Sequence, residues 1–265
     1  MTELIGRKSE LRLLEAALDS GIPVALEGPT GVGKTYLVQH YAQAKRRNFT
    51  VVSGSAGSTV EHLVGFWRPE SNGNNVSLVW QDGVLTHSVR YGDLFVFEEL
   101  SRAPQDILGR LFSLTDTVNP SYGAPEHGNG DLNIPIQDQF RFIACFNSYG
   151  AGYFVSKVDV AFLNRFVVIK LGYPPEKDEI DIIKLHLRAT PSFKDDEDLA
   201  TNMVSLANLS RKQEDTGCIV SPRDGVLWAK MITALGNIKE AFEVAVANKK
   251  KKEIWSFYRD VFGSA

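Results

Sequence analysis

At 265 residues the chain is long enough to bury a full core and to hold one large domain or two smaller ones. A net charge of −3 supplies no global basic field, which argues against a dedicated nucleic-acid binder. The two cysteines, Cys145 and Cys218, are far apart and lack ligand-spaced histidines, so neither a zinc site nor a disulfide framework is expected. No apolar run reaches the ~18 residues of a membrane span. The N-terminus Met1-Thr2-Glu3-Leu4 lacks the basic-then-apolar layout of a signal peptide, and a cytoplasmic protein is the expectation.

In chain order, Leu11 to Leu18 carries apolar residues at helical spacing, with Ser9 as the expected N-cap and Gly21 closing the helix. Ile22 to Glu27 reads as a short buried strand. It enters Gly28-Pro29-Thr30-Gly31-Val32-Gly33-Lys34-Thr35, which fits the phosphate-loop pattern G-x-x-x-x-G-K-[ST] at every fixed position. Glycines there let backbone N–H groups turn inward around a phosphate, and the helix beginning near Tyr36 presents its positive end to the same anion. Lys34 is suited to the β- and γ-phosphates of a nucleotide, and the Thr35 hydroxyl to Mg²⁺.

Phe49 to Gly54 looks like a second strand. The signal then weakens from Ser55 to Gly92, although Thr59 to Val64 has helical character. The turn Asn72-Gly73-Asn74-Asn75 suggests a hairpin between Gly65-Phe66-Trp67 and Ser77 to Trp80. Leu94-Phe95-Val96-Phe97 fits a strand buried on both faces, and Glu98 and Glu99 follow at its carboxyl end, where α/β sheets bind ligands. In this Walker-B layout one acid supports Mg²⁺ and the next polarises the attacking water. A helix is expected from Gln105 to about Thr117, and a turn-rich, exposed loop or hairpin from Asn119 to Asp131. Phe140 to Phe146 is another buried strand, ending in Asn147, and Phe162-Leu163-Asn164-Arg165 leads into a strand ending at Leu171. Tyr173-Pro174-Pro175 marks a boundary between an α/β nucleotide-binding domain (1–172) and an all-helical one (173–265). The helices beyond it are expected at Glu176–Arg188, Glu197–Leu209, Arg223–Leu235 and Ile238 to about Val261. The run Lys249-Lys250-Lys251-Lys252 is expected on a solvated helix face.

These motifs resemble the AAA+ ATPases, specifically the MoxR-type branch that contains the CbbQ, NorQ and NirQ activator proteins. The resemblance spans nearly the whole chain. The phosphate loop is shared with many nucleotide-binding proteins, whereas Glu98-Glu99-x-x-Arg102-Ala103-Pro104 and Ser221-Pro222-Arg223 are more specific. It implies a P-loop core with a parallel sheet flanked by helices, followed by a small helical lid. Ile5-Gly6-Arg7 then lies against the adenine, Lys34 and Thr35 hold phosphate and Mg²⁺, Glu98 supports the metal and Glu99 activates water. Asn147 takes the sensor-1 position, Arg165 the arginine finger of a neighbouring subunit, Arg223 the sensor-2 position, and Arg102 a subunit contact. The family usually has Asp-Glu where this chain has Glu98-Glu99, a departure that could shift metal geometry and slow turnover. Segments around Trp67–Trp80 and Asn119–Ile134 fall where the family carries pore-facing insertions, and are candidates for client contact or for packing.

The resemblance further implies a homo-oligomeric ring, expected to be hexameric, that acts on a client protein, often with a von Willebrand factor A-type co-chaperone. Two other readings compete. One is an AAA+ nucleic-acid motor or loader, for which Arg46-Arg47 or the lysine run would touch phosphates. The other is a GTPase-like switch, because Ser156-Lys157-Val158-Asp159 partly matches the guanine-reading N/T-K-x-D pattern, with its first residue wrong.

Overall fold

Apolar residues alternate between two faces along the central strands, and each face buries its own core. The computed structural model describes residues 4–55, 59–72, 75–116, 118–128, 133–147, 160–187, 197–212 and 216–263. Strands β1 (Val24–Glu27), β2 (Phe49–Ser53), β5 (Leu94–Glu98), β6 (Arg141–Phe146) and β7 (Val167–Lys170) form one five-stranded sheet in the order β2-β5-β6-β1-β7. All its pairings are parallel, as expected of strands covered on both faces. Phe95, Phe97, Phe142 and Phe146 point to one face, where they meet α3 (Val60–Leu63), α4 (Val84–Tyr91) and α5 (Gln105–Leu114). Leu94, Val96, Ile143 and Cys145 point to the other, under α1 (Lys8–Asp19) and α2 (Lys34–Ala44).

The expected hairpin is present and longer than its sequence signal. β3 (Gly65–Asn72) and β4 (Asn75–Asp82) pair antiparallel with Trp67 opposite Trp80, and stand apart from the main sheet. Beyond Pro175 the described chain is helical: α7 (Glu176–Leu187), α8 (Glu197–Arg211), α9 (Pro222–Leu235), α10 (Ile238–Ala245) and α11 (Ile254–Phe262). They close around Trp228, which is 0% exposed and packs against Phe242, Tyr258 and Phe262. A short α6 (Val160–Leu163) precedes β7.

Several expectations need correction. Ser9 does not cap α1: the cap position is Arg7, in a left-handed conformation with φ 60°, and the Ser9 hydroxyl donates to Glu10 Oε2 at 2.6 Å. Helix α5 ends at Leu114 rather than near Thr117, and α8 runs on to Arg211. The single helix expected from Ile238 to Val261 is two, parted at 246–253. The lysine run occupies that break instead of a helix face: Lys249 and Lys250 both pair with Asp224, at 3.1 and 3.2 Å. Helix α4 had no clear forecast, because Thr86, Ser88 and Val89 are weak helix formers. Its signal was the spacing of Leu85 and Val89, stopped by Gly92 at φ 74°. The guanine-like segment at 156–159 and the turn residues 129–131 lie outside the described residues.

Candidate nucleotide site

Because the five strands run parallel, the carboxyl ends of β1, β5 and β6 share one edge, and that edge carries the phosphate loop, the two glutamates and Asn147. Gly28 and Gly31 are required there by space. A Cβ on Gly28 would lie 2.1 Å from the Leu171 carbonyl oxygen, and one on Gly31 (φ +80°) would lie 2.9 Å from both Ser221 Oγ and Arg223 Cβ. The lid loop therefore rests directly on the phosphate loop.

Between them opens a cavity of about 740 Å³. It is lined by Thr30 through Tyr36 of the loop and α2, by Glu98 and Glu99, by Asn147, by Ile5 and Arg7, and by Arg223. The sequence-derived residues thus converge, with four exceptions: Gly28, Pro29, Gly6 and Arg165. Gly28 and Pro29 contribute carbonyls behind the lining, accepting from Lys34 Nζ at 2.7 and 2.9 Å. Gly6 (φ +67°) sits at an adjoining hollow, pressed against Asp178 of α7. Arg165 is outside the cavity altogether. It lies two residues before β7, at the sheet edge opposite the phosphate loop, across a four-residue strand of ~13 Å. There its guanidinium stacks 3.8 Å from the Phe112 ring and donates to the Phe112 carbonyl and Asp116.

Within the cavity Lys34 Nζ also donates to Asn147 Oδ1 at 3.0 Å. The Thr35 hydroxyl donates to Glu98 Oε1, so the longer acid still reaches the hydroxyl, and the pair offers two hard oxygens of the kind Mg²⁺ takes. Burial pulls the Lys34 ammonium below its ordinary pKa, and the nearby Arg223 cation pulls the same way against Glu98 and Cys145. Two cations lining one hollow are relieved by an anion, and the residues fit a nucleotide polyphosphate. Glu99 has left-handed backbone (φ 53°), and its carboxylate pairs with Arg102 at 2.9 Å. Arg102, implied as a subunit contact, thus has a partner in its own chain.

The far wall of the cavity escaped the sequence reading. Ile182, Leu185 and His186 of α7 and Val226, Leu227 and Lys230 of α9 line it. The available signal was periodicity: counting three, four and seven residues on from Arg223 along its helix gives the second group. Burial, with help from Lys230, keeps the His186 imidazole less basic than usual.

A glycine cradle opening a helix, paired acids on a neighbouring strand and an arginine on a helical lid, all facing one cavity, define a P-loop ATPase. Residues 23–166 match the AAA domain (dynein-related subfamily), and the chain belongs to that family: it is an AAA+ ATPase of the MoxR branch. Over most of its length it is 29% identical to the denitrification regulatory protein NirQ of Pseudomonas aeruginosa, covering 90% of this chain and 86% of that one. It is likewise 29% identical to protein NorQ of Paracoccus denitrificans, covering 89% and 83%. Among solved structures, a mutant of Thermotoga maritima RuvB superposes with a TM-score of 0.56 at 20% identity, covering 91% of this chain and 71% of the other, which shows a shared fold. Among the described residues no helix is long and apolar enough to cross a membrane.

Proposed function

We propose that this chain is a Mg²⁺-dependent ATPase that assembles into a closed ring, expected to be hexameric, and uses hydrolysis in the cytoplasm to remodel or activate a partner protein. In this reading residues 1–172 form the nucleotide-binding domain and 173–265 the lid. The observation that carries it is the convergence of Lys34, Glu98, Glu99, Asn147 and Arg223 on one cavity. The partner role is supported by the similarity to NirQ, a regulatory protein by name.

In the proposed mechanism Ile5 and Gly6 belong to the segment against the adenine, and Gly28 to Gly33 enclose the phosphates, with Tyr36 beside them. Lys34 holds the β- and γ-phosphate oxygens. Thr35 and Glu98 would hold Mg²⁺, which neutralises charge on those oxygens. Glu99 takes the proton of the attacking water, and Asn147 orients that water. Arg223 stabilises the charge spreading over the transferred group. Arg165, held at the far sheet edge, cannot serve its own site, and the reading gives it to the next subunit. A head-to-tail contact of this kind closes into a ring. A client, with or without a von Willebrand factor A-type co-chaperone, would be the second partner. Of the residues the nucleic-acid motor reading would use, Lys249 and Lys250 pair with Asp224 and Arg47 donates to the Gly92 carbonyl, which counts against that reading.

The test is Glu99→Gln. Phosphate release is expected to fall at least ~100-fold while ATP binding is retained, and the trapped ATP form should capture the client in a pull-down. Wild-type phosphate release in this variant would refute the assignment, and DNA-stimulated hydrolysis with steep salt dependence would favour the motor instead.

A further inference from the structure

Arg211, the last residue of α8, is buried, its side chain 8% exposed. Its guanidinium grips Glu179 of α7 in a two-bonded fork, Nη1 to Oε2 and Nη2 to Oε1, both 2.7 Å, and the Glu179 side chain is 3% exposed. Its Nε donates to the Val220 carbonyl at 2.9 Å. Val220 in turn gives its N–H to Ser210 Oγ, also at 2.9 Å. Two adjacent side chains at the end of α8 therefore hold both backbone polar groups of one residue. The guanidinium lies 4.2 Å from the ring of Tyr173, and Tyr173 packs on the core beneath the phosphate-loop strand.

Val220 immediately precedes Ser221-Pro222-Arg223. Ser221 opens α9 with a reciprocal capping box to Asp224. Ser221 Oγ and Arg223 Cβ lie against Gly31 of the phosphate loop. The short path from Val220 to Arg223 is thus anchored at its start by Arg211 and at its end by the helix cap. A planar, always-charged fork suits a buried joint that must bond in fixed directions and stack at the same time, which a lysine cannot do.

We propose that Arg211 is a positioning residue for Arg223: through Glu179, Val220 and Tyr173 it fixes where the Arg223 guanidinium stands over the phosphate loop. The proposal rests on the reading that Arg223 acts on the nucleotide. Removing Arg211 alone strands a buried carboxylate. Arg211→Lys, which keeps a charge opposite Glu179, and the paired Arg211→Met/Glu179→Met, which leaves none unpaired, are therefore the useful variants.

Each is made in the full chain, alone and combined with Arg223→Ala, and ATP turnover, KM and thermal midpoint are measured. Alone, each is expected to lower turnover about 10–100-fold, the scale of an ångström-sized misplacement. Combined with Arg223→Ala, neither should lower it further. Losses that multiply, or Arg211 variants that turn over normally while Arg223→Ala is impaired, would overturn the proposal. Wild-type turnover in Arg223→Ala itself would instead show that the reading of Arg223 had failed, and the proposal with it. If the methionine pair does not fold, Arg211→Lys carries the same comparison.

Discussion

Glu99 departs from its strand through a left-handed backbone at φ 53°, a conformation that costs a side-chain-bearing residue about 1–2 kcal/mol. The turn closes on itself, with the Arg102 N–H donating to the Glu99 carbonyl at 2.8 Å. Their ion pair is half exposed, 48% and 40%. A pair so exposed adds about 0–1 kcal/mol, so Glu99 can leave it for a bound substrate at little cost. The residues of the phosphate loop were legible in the sequence because a backbone that wraps an anion restricts residue type position by position. The Arg102 pairing was not, since an arginine three residues past an acid has the same spacing whether it faces its own chain or another. Gly31 tests the close approach of lid and loop. Gly31→Ala places a Cβ at 2.9 Å from Ser221 and Arg223 on a φ of +80°. It is expected to weaken ATP affinity about 10-fold or more, with roughly 1–2 kcal/mol lost in denaturant unfolding. Nucleotide titration that matches wild type would show that lid and loop do not touch.

At the scale of elements, the parallel strands were readable because a strand buried on both faces is a continuous apolar run. What failed was helix continuity near the C-terminus. Apolar spacing ran through Ile238 to Val261, but the four lysines interrupt it, and two of them are drawn to Asp224 at the start of α9. That is a tertiary contact no local pattern announces. Between α4 and the loop before β6 a buried polar chain sets another constraint. The Tyr122 phenol, 2% exposed, bonds the Thr86 hydroxyl at 2.7 Å, which in turn donates to the Val64 carbonyl at 2.6 Å. With the Thr86 proton committed to Val64, Tyr122 must donate, so it must stay protonated. Burial pushes its pKa up to about 12, against about 10 in an unfolded chain. The folded state then holds this proton more tightly, so its contribution is complete below pH ~10 and is lost as pH rises towards ~12. Tyr122→Phe removes that dependence. In urea unfolding, the stability advantage of wild type over Tyr122→Phe is expected to shrink by about 1 kcal/mol between pH 8 and pH 11. A gap independent of pH would show that the phenol is not held protonated by burial.

For the whole molecule, the two insertions behave as one unit: His127, from the loop before β6, lies 5.0 Å from Trp67 and 4.9 Å from Trp80 of the hairpin, ring centre to ring centre. Farther along the hairpin Val76 and Leu78 remain 70% and 65% exposed, an apolar edge that fits the proposed contact with a client. The larger division lies between the cavity and Arg165. Every other proposed hydrolysis residue faces the cavity, while Arg165 is parked on Phe112 at the opposite sheet edge. The central claim is that one protomer supplies Lys34 and Glu99 while the next supplies Arg165. Mixing two inactive variants, Glu99→Gln and Arg165→Ala, tests it most directly. In a mixed ring some sites receive Glu99 from the Arg165→Ala subunit and Arg165 from the Glu99→Gln subunit. ATP hydrolysis is therefore predicted to reappear on mixing and to peak near equal amounts, while each variant alone stays at least ~100-fold down. Mixtures no more active than their separate components would contradict a site shared between subunits.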